Sequence, residues 1–127
     1  MKKRVLVIDD IGVILDLVEF LLQMGGYDVM TATDAASALA QIEKITPDLI
    51  VLDLMMPNMS GYEFIAQLRQ RQNQCATIPI MLLTVMEHTP EEIEKLGVAG
   101  YLRKPFHQKE LLSKIEELLS NTDNDAP

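Results

Sequence analysis

The chain has 127 residues, 48% of them apolar and 24% charged, with a formal net charge of −8. That length fits one domain whose core can stand without disulfides, and the single cysteine, Cys75, excludes an internal one. The acidity argues against direct nucleic-acid binding, which needs Lys and Arg to displace counterions, and suits cations or partners with basic faces.

The first residues, "MKKRVLVIDD", begin basic, but the apolar run stops at Ile8. A signal peptide needs about 7–15 apolar residues and a membrane span about 20. The expected location is cytoplasmic, and a lone cysteine fits a reducing compartment. Cys75 lies in the polar stretch "QNQCATIP" and reads as an ordinary surface or loop residue.

Short β-rich runs alternate with amphipathic stretches along the chain. Arg4–Ile8 reads as a strand, apolar on both faces. Ile14, Val18, Leu21 and Leu22 recur at helical spacing, and Gly25 and Gly26 end that helix. Tyr27–Thr31 is a second strand. Thr33 or Asp34 caps a second helix with the stripe Ala35, Ala38, Leu39, Ile42 and Ile45, closed by Pro47.

Leu49–Leu52 is the third strand. Ser60 and Glu63 have capping-box spacing and open a third helix running to about Arg71. The polar loop "QRQNQCATIP" leads into the fourth strand, Ile80–Thr84. Thr89, Pro90 and Glu92 mark the start of another helix, a short one that stops at Gly97. Gly100–Leu102 is a fifth strand, and Gln108–Leu119 a last helix. The domain is expected over 1–120, with 121–127 a polar tail or linker stub.

The order βαβαβαβαβα predicts a doubly wound parallel sheet with helices on both faces. Its strands are apolar runs, as parallel strands buried on two sides require. Ligands of such sheets sit at the carboxyl ends of the strands. The first strand ends on Asp9 and Asp10, the third on Asp53 and the fourth on Thr84, while Lys104 and Pro105 follow the fifth.

Three carboxylates, a hydroxyl and an ammonium therefore converge on one edge. Oxygen ligands with few protein donors suit Mg²⁺ (or Mn²⁺), with Asp9, Asp10, Asp53 and the backbone carbonyl of Met55 as candidate ligands. The set matches phosphoryl transfer to a carboxylate, with Asp53 as the nucleophile that becomes an acyl phosphate. Lys104 and the cation would balance charge on the transferred group, and Thr84 would give it a hydrogen bond. Taken singly, Asp9–Asp10 is more often a helix cap, Thr84 strand packing and Lys104 surface. Only the ordered set is specific.

The segments "VLVIDD", "PDLIVLDLMMPNMSG", "IPIMLLT" and "GYLRKPF" resemble the receiver domain of bacterial two-component response regulators, from Lys3 to about Ser120. Asp53, Pro57 and Gly61 are all in register with that family. The resemblance implies a five-stranded flavodoxin-like sheet of order 2-1-3-4-5 and phosphorylation of Asp53 from a histidine kinase phosphohistidine with Mg²⁺. It implies that Asp10 ligates the metal directly and Asp9 largely through water. It further implies that Thr84 is the switch hydroxyl, Lys104 the phosphoryl-binding lysine, Tyr101 a switch aromatic, and Lys104–Pro105 a cis bond. The face made by the fourth helix, fifth strand and fifth helix would respond.

By the same resemblance the partners are a sensor histidine kinase or phosphotransfer protein, an output domain or target protein, and a second copy of the chain on phosphorylation. The chain is expected to act in signalling, phosphorylating and dephosphorylating itself, rather than as a turnover enzyme. It reads as a stand-alone receiver or as one cut from a longer regulator.

The chain departs from the family in places. Val85 stands where receivers carry Ala or Gly, and Met86 where many are polar. Val85 is expected to narrow access to Asp53, and Met55 and Met86 to exclude the attacking water, so that the phosphoryl group is long-lived. The stretch from Thr84 to Lys104 is shorter than usual, so the fourth helix is expected to be short or irregular. His88 and His107 lack metal-ligand neighbours and read as ordinary exposed residues. An aspartyl-phosphate phosphatase of the haloacid-dehalogenase type would need a second Asp where Met55 stands. A flavodoxin-like carrier would need a phosphate loop where the chain has "DDIG".

Overall fold

A computed structural model describes residues 2–56 and 60–124, with side chains to residue 121. Pro57, part of the motif after Asp53, lies outside the described residues. Five parallel strands, β1 Arg4–Ile8, β2 Asp28–Ala32, β3 Leu49–Leu52, β4 Ile80–Thr84 and β5 Gly100–Arg103, form one sheet in the order β2-β1-β3-β4-β5. The helices are α1 Gly12–Met24, α2 Ala35–Lys44, α3 Gly61–Arg69, α4 Pro90–Leu96 and α5 Gln108–Asn124, and a 3₁₀ turn covers Gln74–Thr77.

Alternation along the strands divides the core in two. Val5, Val7, Leu49, Val51, Met81 and Leu83 face α1 and α5, where they meet Leu15, Val18, Leu22, Leu111 and Ile115. Leu6, Ile8, Ile50, Leu52, Ile80 and Leu82 face the other way, against Leu39, Ile42, Phe64 and Leu68 of α2 and α3. Each such fully buried side chain contributes about 1.5–3 kcal/mol of transfer free energy. Both sheet faces are thereby consumed, and the strand ends are left to carry chemistry.

Caps fix where the helices begin. Asp34, rather than Thr33, caps α2 by accepting from Ser37 N. Ser60 caps α3 by accepting from Glu63 N. Thr89 and Glu92 form the full reciprocal box on α4, which ends on Gly97 in the left-handed region at φ 72°. The short α4 anticipated from the sequence is seven residues long.

Several boundaries differ from the sequence reading. β2 starts and ends one position later, because its register pairs Arg4 with Asp28 and Ile8 with Ala32. α3 stops at Arg69 rather than near Arg71, and the Arg69 guanidinium turns back to the carbonyls of Ala76, Ile78 and Gly97. Ile45 leaves the predicted α2 stripe: it is the extended C-cap and is exposed. α5 continues past Leu119 to Asn124, since extending a formed helix adds a hydrogen bond per residue at little cost. Cys75 is buried, not at the surface: Asn73 caps the 3₁₀ turn through Cys75 N and the thiol side chain packs into the α2–α3 core.

Candidate functional site

The sheet register brings the predicted strand-end residues together. Asp9 follows β1 and is tied to β2 by its amide on Ala32 O, while the Asp53 amide bonds Ile8 O at 3.0 Å. Lys104 N donates to Thr84 O at 2.7 Å, which fixes the lysine beside the end of β4. One carboxylate oxygen from each of Asp9, Asp10 and Asp53 lies within 4.8 Å of the others. Asp9 and Asp53 are buried and Asp10 is exposed.

Local hydrogen bonds orient these groups. Asp9 Oδ1 accepts from Ile11 N at 2.9 Å, and Asp53 Oδ1 accepts from Met55 N at 3.2 Å. Each aspartate thus holds its own loop and leaves its second oxygen for the pocket. The Lys104 ammonium lies 3.1 Å from Asp9 Oδ2 and 4.0 Å from Asp53 Oδ2. Burial pushes the Asp53 carboxyl above the usual carboxylate range; the Met55 amide and Lys104 oppose this, and Asp9 and Asp10 add to it. An acid cluster with one lysine is short of positive charge, and its all-oxygen donor set fits a hard divalent cation such as Mg²⁺.

Gly61 has a steric reason to be glycine. A Cβ there would come 2.7 Å from Leu54 Cα and 3.0 Å from Asp53 O. The start of α3 therefore lies directly on the backbone that carries Asp53, with Gly61 N bonded to Leu54 O.

Thr84 is buried, and its Oγ1 accepts from Met86 N at 3.2 Å. Val85, Met86 and Met55 are exposed at the rim of the site. A groove of about 330 Å³, lined by Ile14, Leu17, Val85, Lys104, Pro105 and Phe106, adjoins the cluster through Lys104. The Lys104–Pro105 bond is cis. Tyr101 is half-buried and packs on the α2–α3 core.

His88 corrects the sequence reading. Its side chain is only 3% exposed, its Nδ1 lies 3.2 Å from Glu92 Oε2, and its ring meets that of Tyr101 edge-on at 5.4 Å. His88 directly precedes the α4 cap Thr89, so the capped first turn places Glu92 within reach of its ring. Its spacing of four from Glu92 was the available signal. Arg103 was also missed: its Nε donates to Val85 O and its Nη1 pairs with Glu87. Nothing in the sequence distinguished it from a surface arginine. His107 is exposed as expected.

Acidic strand ends and a lysine on the carboxyl edge of a 2-1-3-4-5 parallel sheet define the receiver class. The sequence matches the response regulator receiver domain family over residues 5–116, and the chain belongs to that family. It is 39% identical to the alkaline phosphatase synthesis transcriptional regulatory protein PhoP of Bacillus subtilis, over 100% of this chain and 52% of the relative. It is 40% identical to the DNA-binding dual master transcriptional regulator RpaA of Synechocystis, over 94% of this chain and 50% of the relative. The chain thus spans about half the length of these relatives. The structure of the chemotaxis protein CheY4 of Vibrio cholerae superposes with a TM-score of 0.84 at 38% identity, covering 93% of this chain and 99% of that one. The chain is a receiver domain of the two-component response regulator type.

Proposed function

We propose that Asp53 accepts a phosphoryl group from a histidine kinase or phosphotransfer protein. The observation that carries this is the convergence of Asp9, Asp10 and Asp53 with Lys104 at the carboxyl edge of the sheet. A carboxylate oxygen of Asp53 attacks phosphorus, the P–N bond of the donor phosphohistidine breaks, and imidazole leaves with the electron pair and takes up a proton. The product is an acyl phosphate on Asp53, later released by water. The chain acts as a signalling domain rather than a turnover enzyme.

Asp9, Asp10, Asp53 and the Met55 carbonyl would hold Mg²⁺ (or Mn²⁺), which supplies charge neutralisation for the phosphoryl oxygens when bound. Lys104 moves from Asp9 toward the new phosphoryl oxygens, and Thr84 Oγ1 turns its hydrogen bond to them. Tyr101 then follows the loop, and the face of α4, β5 and α5 changes.

The donor has a place to dock. Val13, Leu17, Phe20 and Met24 form an exposed apolar stripe on α1, next to the groove that ends at Lys104. Such a stripe suits a helical partner. An output domain or a separate target would read the altered face, with pairing of two copies as one outcome. Among the described residues no helix is long and apolar enough to cross a membrane, and the cytoplasm is the proposed compartment.

Incubation with acetyl phosphate and Mg²⁺, followed by intact mass, tests this reading. Wild type is expected to gain one phosphoryl group and Asp53→Asn none. No gain on wild type, or an equal gain on the variant, overturns it.

A further inference from the structure

The loop from β4 to α4 is anchored at three points. Thr84 Oγ1 holds Met86 N at 3.2 Å. Arg103 reaches across from β5 to Val85 O at 3.2 Å and to Glu87 at 2.9 Å. His88 is the third anchor, and it touches two further elements: the Tyr101 ring of β5 at 5.4 Å and 82°, and Glu92 of α4 at 3.2 Å.

Glu92 is itself half of the α4 cap, since its Oε1 accepts from Thr89 N at 3.3 Å. Its carboxyl lies below the usual range, first through the Thr89 amide and then through His88. An ionised Glu92 accepts only, so the proton sits on His88 Nδ1. The other ring nitrogen, Nε2, has no partner. It is the one such buried side-chain nitrogen or oxygen among the described residues. Unpaired buried polar atoms are uncommon and costly. The His88 ring is thus held by one aromatic contact and one hydrogen bond, and any shift that wets Nε2 recovers a lost bond.

We propose that His88 is the positioning residue that couples Thr84 to Tyr101 and to the first turn of α4. The proposal rests on the receiver reading of Asp53. Turning the Thr84 hydroxyl toward a group on Asp53 releases Met86 N and lets the loop move. His88 moves with it, freeing the Tyr101 ring and leaving Glu92 with the Thr89 half of the cap alone. One buried imidazole therefore links the phosphoryl site to both parts of the responding face.

The test uses the ¹⁵N-labelled chain with acetyl phosphate and Mg²⁺, with intact mass measured on the same sample. The His88 ring nitrogens are followed by long-range ¹H–¹⁵N spectra. The resting spectrum is expected to show a proton on Nδ1, and phosphorylation is expected to shift the His88 and Tyr101 ring signals. His88→Phe keeps a ring against Tyr101 but loses the bond to Glu92. It is expected to take phosphate like wild type while the amide signals of Glu91–Leu96 no longer follow. His88→Gln keeps a donor without the ring, and is expected to show the reverse: α4 follows and Tyr101 does not. Phosphate uptake with unmoved His88 signals overturns the coupling alone, as does a wild-type α4 response in His88→Phe. Absence of uptake by wild type overturns the receiver reading, and the coupling with it.

Discussion

The Lys104 ammonium sits closer to Asp9 than to Asp53, at 3.1 Å against 4.0 Å. It therefore neutralises a buried neighbour of the proposed nucleophile rather than the nucleophile itself. Removing it leaves two buried carboxylates with Asp10 beside them and no cation. Lys104→Met is expected to destabilise the domain by about 3 kcal/mol, as breaking buried pairs does. Added Mg²⁺ should return part of that loss. Thermal unfolding with and without Mg²⁺ measures both, and an undiminished Tm in the variant without Mg²⁺ would contradict the pairing.

Asp53 makes a second prediction through its raised pKa. The folded chain keeps the Asp53 proton to higher pH than the unfolded chain does. Stability from this group is therefore present below about pH 4, the ordinary carboxylate value, and is lost as pH rises through the elevated folded value. Asp53→Asn cannot ionise and should escape that loss. Its Tm is expected to exceed that of wild type at pH 7, each kcal/mol appearing as roughly 4 °C, and the gap should close near pH 4. Mg²⁺ should stabilise wild type by about 2.7 kcal/mol at a hundredfold excess over Kd, and the variant by less. Equal Tm values at pH 7 would show that the site does not hold Asp53 under electrostatic strain.

The sheet and the acidic cluster were legible because both rest on local pattern. Apolar runs as short as Leu49–Leu52, set between Pro47 and a polar turn, read as strands buried on two faces, and parallel alternation sends Asp9, Asp53 and Thr84 to one edge by topology alone. His88, Cys75 and Arg103 were not legible in the same way. Their surroundings are set by partners distant in sequence, Tyr101 for His88, Val85 and Glu87 for Arg103 and the α2–α3 core for Cys75, and polar neighbours in sequence hid the burial of the first two. The end of α5 was missed for a related reason: solvated polar residues continue a helix as readily as they fray it.

Gly61 carries a third prediction. Its missing side chain lets α3 start against Leu54 Cα and Asp53 O. Gly61→Ala forces that backbone apart, at about 1–3 kcal/mol, and shifts the Asp53 carboxylate away from Lys104. Chemical denaturation should register the lost stability, and the rate of phosphorylation by acetyl phosphate should fall. A variant with wild-type stability and rate would mean that the loop yields freely there.

Met55, Val85 and Met86 lie exposed at the rim around Asp53 and Thr84. These side chains would cover the acyl phosphate and hinder the in-line approach of water, giving a long-lived phosphorylated form. Replacing Met55 and Met86 by Asn and Glu introduces groups that bind and orient water. Dephosphorylation in the double variant is expected to quicken about tenfold, a change of about 1.4 kcal/mol in the barrier. Val85→Ala should speed phosphorylation by small donors by widening the groove beside Lys104. Phosphate release followed over time decides the matter. Decay of the wild-type acyl phosphate within seconds, or an unchanged rate in the double variant, would show that the methionines do not shield it.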